Sequence, residues 1–374
     1  MENRTTAAFF VIVLLLAGGA YWYYTRDTEE PENGSFEYEI LAEGLDVPWS
    51  MDIAPDGKIF FTERGGRVRL LQEGKVNTLY TMEVKAQENV ESGLLGLVLH
   101  PEFPEDPRIL IYYTYIEDDG PPWNRISWFN YSGMDLHSEE VFLDKIPAGN
   151  IHDGGRVKFG PDSKIYVTTG ETGNGELAQD LNSLAGKILR YNGDGTIPED
   201  NPFENSPIYT YGHRNPQGLA WHPETGELYA TEHGPSGENM WYAHDEINLI
   251  KPGANYGWPE VIGNSDNPEF TDPIYHTGND TWAPSGNTFF DNPNSSWHER
   301  LFVANLRGTS IRMMYFTPPN YTDISLNTPI FEDFGRIRTV VQGPDDYLYF
   351  CTSNRDGRGN PSEKDDMIVR ILTP

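Results

Sequence analysis

The chain repeats one pattern of alternating apolar and polar residues on both sides of a short turn. Its plainest copies span residues 51–62 and 157–168, where two alternating segments flank a proline followed by an acidic residue. Successive side chains of a strand point to opposite faces, so this alternation predicts a β-hairpin with one face in a core. The turn prolines of the six copies are Pro55, Pro101, Pro161, Pro223, Pro293 and Pro344.

These turn prolines recur at intervals of 46 to 70 residues. Each hairpin is followed by another predicted strand, for example at 187–191 and 368–372. A supersecondary unit repeated at such intervals is typical of a β-propeller whose blades differ in their loops. We therefore predict an all-β, six-bladed β-propeller over residues 36–374, with residues 36–41 pairing beside the last strand to close the ring.

The amino terminus has a different pattern. Residues 7–24 carry no charge and are largely apolar, and as a helix they would span about 27 Å. Arg4 precedes this run and acidic residues follow it, which by the positive-inside rule places the propeller outside the cytoplasm. We predict a transmembrane anchor at 1–25 and an acidic linker at 26–35. The alternative is a signal peptide cleaved near residues 18–20, with secretion of the mature protein.

Composition supports many short strands joined by turns, since the chain has 37 Gly, 28 Pro, 9 Trp, 21 Tyr and 18 Phe. Its 57 acidic and 27 basic residues give a net charge of -30. That charge argues against a nucleic-acid partner, which requires a basic face. Solubility, a saline habitat and calcium binding all remain compatible with it. The single cysteine, Cys351, excludes an internal disulfide and is interpreted as a packed strand residue.

Several arginines stand in or beside the segments that connect blades, namely Arg214, Arg307, Arg336 and Arg338. They would contribute only ~0–1 kcal/mol each as surface ion pairs. If they converge on one pocket they require an anion, for which a polycarboxylate is the best match. His152, in the loop before the third hairpin, is a candidate base, although a lone loop histidine is more often solvated or hydrogen bonded.

A possible cation site lies in residues 232–237 together with Asp245 and Glu246. Carbonyl and carboxylate oxygens are the ligands that calcium prefers, but the spacing is not that of an EF-hand. By contrast, residues 91–103 are explained by a buried strand after a glycine turn.

Together these segments resemble the soluble glucose and aldose sugar dehydrogenases that depend on pyrroloquinoline quinone (PQQ), the glucose/sorbosone dehydrogenase family. The resemblance covers about residues 36–374. That family is known as a six-bladed propeller, in agreement with the repeat count. The motifs occur in family order and include Ser92-Gly-Leu-Leu-Gly-Leu, His152, Gly155-Arg156, Gly186-Lys-Ile-Leu-Arg, Gly212-His-Arg-Asn-Pro-Gln-Gly-Leu, Asp245-Glu-Ile-Asn-Leu-Ile, Asn255-Tyr-Gly-Trp-Pro and Arg336-Ile-Arg.

The resemblance implies oxidation of an aldose at its C1 hydroxyl to a lactone. His152 is then the base that takes the hydroxyl proton while hydride passes to the quinone, and Arg214 stabilises the developing negative charge. The electrons go to an external acceptor, either a quinone or a redox protein. An enzyme of this kind uses PQQ and Ca²⁺ as cofactors.

The resemblance also assigns ligands. The implied cofactor-binding residues are Glu91, Asn215, Gln217, His233, Arg307, Arg336 and Arg338. The carbonyls of Gly234 and Pro235 match ligands of a calcium that polarises the quinone. Glu246 and the carbonyl of Tyr256 match a second, structural calcium site.

Three positions depart from the pattern best known in the family. Glu91 and His233 each replace a glutamine. Arg307 replaces a lysine, so a planar guanidinium with several donors stands in place of a compact ammonium group. A long insert that shapes the substrate pocket of the glucose enzyme is also missing. We expect these changes to affect sugar preference and cofactor affinity, in an open site of broad aldose specificity.

Two other functions remain open. A calcium-dependent lactonase on a similar propeller would need carboxylate-rich metal ligands in the channel and no arginine cluster. A non-catalytic propeller that binds glycans or a protein could lose His152 or Arg214 without consequence.

Overall fold

The computed structural model describes residues 36–86, 90–118 and 120–372. In this part of the chain, 24 strands form six four-stranded antiparallel sheets, so the predicted all-β, six-bladed propeller is confirmed. The predicted anchor and linker fall on residues 1–35, which lie outside the described residues. Among the helices that the structure does describe, none has the length and apolar character needed to cross a membrane.

The first three blades each use four consecutive strands, numbered from the innermost outward. Blade 1 contains β2 (Pro48–Ile53), β3 (Ile59–Glu63), β4 (Arg67–Gln72) and β5 (Lys75–Thr81). Blade 2 contains β6 (Leu94–Leu99), β7 (Arg108–Ile116), β8 (Pro122–Tyr131) and β9 (Leu136–Pro147). Blade 3 contains β10 (Val157–Phe159), β11 (Ile165–Thr169), β12 (Lys187–Tyr191) and β13 (Ile208–Tyr211).

The other three blades complete the ring. Blade 4 contains β14 (Pro216–Trp221), β15 (Leu228–Glu232), β16 (Glu246–Ile250) and β17 (Tyr275–His276). Blade 5 contains β18 (Pro284–Phe289), β19 (Leu301–Asn305), β20 (Ser310–Thr317) and β21 (Asp323–Ile330). Blade 6 contains β22 (Ile337–Gln342), β23 (Leu348–Thr352), β24 (Ile368–Ile371) and the amino-terminal strand β1 (Tyr38–Ala42). Short helices occupy Glu176–Gln179 (α1) and, as 3-10 turns, Glu238–Met240 and Glu332–Phe334.

The core of the molecule is distributed among the blade interfaces. The described residues form six apolar clusters, and each lies mainly between two neighbouring blades. Leu110 of blade 2 and Val167 of blade 3, for example, share one cluster and are fully buried. The second strands β3, β11, β15, β19 and β23 are buried along their whole length because a neighbouring blade covers each of their faces.

The ring closes as the sequence predicts. β1 pairs antiparallel with β24, with Tyr38 opposite Ile371 and Ile40 opposite Val369. Leu45 and Asp366 add reciprocal backbone hydrogen bonds of 2.9 and 3.0 Å beside this seam. The first and last strands of the described chain therefore hold each other in one blade.

Antiparallel pairing also determines where the functional loops lie. The start of each innermost strand and the end of each second strand fall at the same end of the central channel. His152 and Arg214 precede innermost strands, whereas His233 and Arg307 follow second strands. The fold thus brings side chains that are far apart in sequence to one mouth of the channel.

Candidate active site

A cavity of about 340 Å³ occupies this mouth of the channel. Nine of the site residues expected from the sequence line it: Glu91, His152, Arg214, Gln217, His233, Gly234, Arg307, Arg336 and Arg338. Of the other expected residues, Asn215 lies directly behind the wall, where its amide Nδ2 is 3.4 Å from Glu91 Oε2. Pro235 adjoins the cavity through Gly234, and Glu246 and Tyr256 do not line it.

His152 is held in a defined orientation. Its backbone lies in the left-handed region, with φ of 59°, and its N–H donates to Glu91 Oε2 at 2.9 Å. Its ring Nδ1 is hydrogen bonded to Glu171, and both side chains are buried. A carboxylate that accepts the Nδ1 proton leaves the lone pair on Nε2. The candidate base is therefore oriented, as a catalytic histidine requires.

Glu171 was not identified from the sequence. It follows β11 at the active-site end of the channel, a position shared by other site residues, and this was the available signal. The adjacent Gly170 is required by packing, because a Cβ there would lie 1.9 Å from the carbonyl oxygen of His152. The backbone approach between these two loops brings Glu171 to the imidazole.

Arginines dominate the lining of the cavity. Six are present, Arg64, Arg214, Arg307, Arg336, Arg338 and Arg358, against three acidic residues, Glu91, Asp245 and Asp356. Arg336 binds Asp356 through Nε and Nη2, at 2.9 and 2.7 Å from Oδ2. Arg338 donates to Gln217 Oε1 at 2.9 Å, and both of these arginines are buried. The interpretation of Arg336 and Arg338 as surface ion pairs is therefore wrong.

Arg214 has both bound and free polar atoms. Its Nη2 pairs with Glu238, and its Nη1 donates to the carbonyl of His233 at 3.2 Å. Its Nε is buried and has no hydrogen-bond partner in the described part of the chain, and the same is true of Arg338 Nε and His233 Nε2. Buried donors are rarely left without a partner, so these three atoms indicate a polar ligand.

Glu91 joins two sides of the cavity. It forms an ion pair with Arg358, 2.8 Å from Oε1 to Nη1. Burial raises the pKa of Glu91, but the positive charges of His152, Arg358 and His233 outweigh burial and lower the pKa to about 2. Glu91, which stands where the family typically has glutamine, is therefore a carboxylate held in a network of charged side chains.

His233 is a neutral imidazole near neutral pH and is charged only in the acidic range where Glu91 titrates. Burial lowers its pKa to about 3, and the attraction of Glu91 is opposed by Arg338 and Arg214. A neutral histidine can donate or accept one hydrogen bond at Nε2 without bringing another charge into the cavity.

The Gly234-Pro235 turn is tightly packed. A Cβ on Gly234 would lie 1.8 Å from the carbonyl oxygen of Ala243, so a larger residue does not fit. The N–H of Gly234 donates to Asp245 at 2.8 Å, and the carbonyl of Pro235 accepts the N–H of Ala243 at 3.0 Å. A carbonyl has two lone pairs, so this bond leaves one for a cation.

Glu246 and Tyr256 share a second environment behind this turn. Burial and the charge of Glu232 raise the pKa of Glu246 to about 8. Glu232 accepts a hydrogen bond at 2.8 Å from the ring Nδ1 of His213, whose ring stacks on Tyr256. Among the described residues, the one group of three His, Cys, Asp or Glu side chains spaced for a metal lies elsewhere and comprises Glu224, His298 and Glu299. The expected calcium sites would therefore need carbonyl ligands, with the Glu246 carboxylate added at the second site.

The cavity fits a quinone cofactor that carries carboxylates. Its positive excess stands in an acidic protein, and the three unpartnered nitrogen atoms offer hydrogen bonds to anionic or carbonyl oxygens. Gln217 Oε1 already accepts from Arg338 and from Ser285, the latter at 2.9 Å. The expected cofactor-binding residue Gln217 therefore orients Arg338.

Comparison with known proteins agrees with this site. The family model for glucose/sorbosone dehydrogenase matches residues 45–369. Aldose sugar dehydrogenase YliI of Escherichia coli strain K12 is 32% identical over 352 residues, which cover 85% of this chain and 90% of the relative.

Two solved structures are also similar. An oxidoreductase (glucose dehydrogenase) of Thermus thermophilus is 42% identical, with a TM-score of 0.84 over 90% of this chain and 100% of the other. The PQQ-bound aldose sugar dehydrogenase of Streptomyces coelicolor is 35% identical, with a TM-score of 0.78 over 89% of this chain and 97% of the other. The chain therefore belongs to the glucose/sorbosone dehydrogenase family of oxidoreductases, as its sequence motifs predict.

Proposed function

We propose that this protein is a PQQ-dependent aldose dehydrogenase that oxidises the C1 hydroxyl of an aldose to the lactone. The supporting observation is that His152, oriented by Glu171, lies in the same cavity as a cluster of arginines with unpartnered nitrogen atoms. The family relationship supports PQQ as the cofactor.

The quinone, when bound, supplies the acceptor for the hydride that leaves C1. His152 Nε2 takes the proton of the C1 hydroxyl, and Glu171 stabilises the imidazolium that results. Oxidation to the lactone removes two electrons and two protons from the sugar, and an external acceptor takes the electrons.

The arginines would bind the cofactor and polarise its quinone. Arg336 and Arg338 would hold cofactor carboxylates, and Arg214 would stabilise negative charge that develops on a quinone oxygen. Arg336 is already fixed by Asp356, so it would bind as a preorganised group with little loss of side-chain freedom.

Calcium would occupy the turn beside the cavity. The carbonyls of Gly234 and Pro235 would be its ligands, and it would act as a Lewis acid on the quinone. Glu246 and the carbonyl of Tyr256 would hold a second, structural ion, which would compensate the crowding of Glu232 and Glu246.

The lactonase alternative fits less well. A calcium lactonase needs several carboxylates around a channel metal, whereas this cavity has six arginines and three acidic residues. A non-catalytic propeller would not need the buried pair of His152 and Glu171.

The direct test uses protein reconstituted with PQQ and calcium, an aldose and a dye acceptor. We expect sugar-dependent dye reduction, and His152→Ala should lower kcat by roughly 10²–10⁴-fold without changing quinone affinity in an absorbance titration. The control is His137→Ala, because the His137 side chain is 53% exposed and does not line the cavity. Absence of turnover with a panel of aldoses and alcohols would refute the proposal, and lactone hydrolysis with calcium alone would favour the lactonase.

A further inference from the structure

A second cavity, of about 310 Å³, opens from the opposite end of the central channel. It is lined by the innermost strands of several blades and shares no lining residue with the active site. We call it the far-mouth cavity. Its polar lining includes Asp52, Arg156, Lys158 and Asn287.

Arg156 separates the two cavities. Its Nε donates to the carbonyl of Gln217 at 2.8 Å, its Nη1 donates to Ser50 Oγ at 3.1 Å, and its guanidinium lies 4.4 Å from the ring centre of Trp49. The residue is 3% exposed, and its Nη2 has no hydrogen-bond partner among the described residues. One donor of a buried cation is thus left for a ligand in the far-mouth cavity.

Lys158 and Asn287 add further polar groups, of which the Asn287 side-chain amide has no hydrogen-bond partner in the described structure. The Lys158 ammonium lies 3.3 Å from the carbonyl oxygen of Asn287, across the cavity from strand β10 to strand β18. Asn287 is 1% exposed, yet neither its Nδ2 nor its Oδ1 has a partner in the described structure. An ammonium and an amide N–H are both donors suited to an oxyanion.

The positive charges of this cavity exceed the negative charge that its lining supplies. Among the described residues, neither Arg156 nor Lys158 forms an ion pair with a carboxylate. Burial and the neighbouring Arg338 lower the pKa of Arg156 to about 9, and burial and Arg156 lower the pKa of Lys158 to about 8. Arg156 is buried and Lys158 is half-buried, and two neighbouring cations held away from water with one carboxylate are unfavourable, so an anion between them would be stabilised.

Asp52 offsets part of this charge, because its carboxylate attracts Lys158, but the two form no ion pair in the described part of the chain. Its two carboxylate oxygens accept the backbone N–H groups of Ile53 and Leu99, both at 2.9 Å. Burial raises the pKa of Asp52, whereas these two N–H groups and the charge of Lys158 act against burial. The cavity therefore attracts anions although the whole chain carries a net charge of -30.

We propose that the far-mouth cavity binds one small oxyanion, of the phosphate or carboxylate type, through Arg156 Nη2, the Lys158 ammonium and the Asn287 amide. Its volume is sufficient for an ion of a few non-hydrogen atoms. This site is separate from the proposed quinone site, because Arg156 and the Gln217 backbone lie between the two cavities.

The test is calorimetric titration of PQQ-saturated protein with inorganic phosphate in one arm and acetate in the other. The quinone occupies the active-site arginines, so we expect one saturable site for at least one of the two ions. Lys158→Met keeps the aliphatic stem, removes the charge and should weaken this binding by about tenfold or more. The matched control is Lys251→Met at an exposed surface position, which should bind like the parent protein.

A structural readout completes the experiment. Crystals of the protein soaked in selenate should show an anomalous peak next to Arg156 and Lys158, and crystals of Lys158→Met should lose it. No saturable binding of either ion, or unchanged binding in Lys158→Met, overturns the proposal.

The experiment also separates this proposal from the proposed function. If the protein does not take up PQQ, the titration is made on the protein alone, where anions also reach the active-site arginines. Binding that Lys158→Met removes belongs to the far-mouth cavity, and binding that it leaves intact belongs to the active site. Anion binding in the far-mouth cavity can therefore be tested even if the protein does not bind PQQ.

Discussion

At the scale of single residues, the site combines groups fixed in advance with groups left open. Arg336 and His152 have their orientation set by carboxylates, Asp356 and Glu171. Arg338 and His233, by contrast, each retain a buried nitrogen without a partner in the described part of the chain. Preorganised donors lose little freedom when a ligand arrives, so binding energy can be used for orientation.

Glu171→Gln tests the orientation of the base. The amide preserves the shape but removes the charge that stabilises a protonated imidazole, so kcat should fall by roughly 10-fold or more with little change in quinone affinity. The pH dependence of kcat should also change, because the substitution removes the carboxylate that favours the imidazolium formed during catalysis. Equal loss of activity at every pH, together with lower thermal stability, would indicate a purely structural role.

Glu91→Gln restores the glutamine typical of the family and tests the charge network. Because the pKa of Glu91 is lowered to about 2 from 4.5, its carboxylate stabilises the folded protein above about pH 4.5. That contribution disappears as the pH falls from 4.5 towards 2, since the unfolded chain then takes up the proton first.

We therefore expect the parent protein without cofactor to exceed Glu91→Gln in unfolding free energy by about 1–3 kcal/mol near neutral pH. The advantage should shrink between about pH 5 and about pH 3, as measured by urea denaturation. A difference that stays constant with pH would show that Glu91 acts by packing alone.

At the scale of elements, the outer strands show little of the alternation of apolar and polar residues that identifies the inner strands. β9 and β21 are largely exposed or half-buried, whereas β11 and β23 are buried throughout. An outer strand packs one face on its neighbours, so its sequence is less constrained. The repeat accordingly predicts the hairpin and the third strand of each blade but not the fourth.

The closing strand β1 should contribute more to the free energy of unfolding than its small buried area suggests. Tyr38 and Ile40 are 48% and 37% exposed, so pairing with β24 rather than apolar burial is its main contribution. A chain beginning at residue 43 should lose roughly 2–5 kcal/mol of unfolding free energy relative to one beginning at residue 36, at about 1 kcal/mol per lost backbone hydrogen bond.

Hydrogen exchange locates this effect. The amides of β24 should exchange faster in the shorter chain, while those of β11, on the opposite side of the ring, should change little. Equal exchange of β24 in both chains would mean that β1 does not hold the ring closed.

At the scale of the whole molecule, the ring makes a polar cavity from loops of many blades. Glu91, His152, Arg214, Arg307 and Arg336 come from separate connections between strands and meet at one mouth. A small displacement of any blade would separate these groups, so catalysis should depend on intact closure of the ring.

The location of the enzyme is a prediction about residues 1–35. We propose that residues 1–25 anchor the protein and that the propeller works outside the cytoplasm, where an external electron acceptor is available. Full-length protein should fractionate with membranes and require detergent for release, whereas residues 36–374 should be recovered without detergent and bind PQQ with equal affinity. A mature chain that begins near residue 20 would instead establish the cleaved signal peptide.

The sequence alone determined the hairpins, the number of blades, the closing strand and half of the residues that line the cavity. These features follow from local rules, since alternation, turn prolines and motifs involve residues close together in the chain. Tertiary structure decided which of these residues meet. Glu91 pairs with Arg358, 267 residues away, and Glu171 reaches His152 only because two loops cross at Gly170.

The far-mouth cavity likewise depends on the ring. No local pattern marks Lys158 or Asn287, which are ordinary polar positions on innermost strands until the blades enclose them. Closure decides which charges are buried and which lack a partner, because both properties arise from contacts between blades. The sequence could therefore identify the chemistry of the active site, while the balance of charge along the channel was decided by the fold.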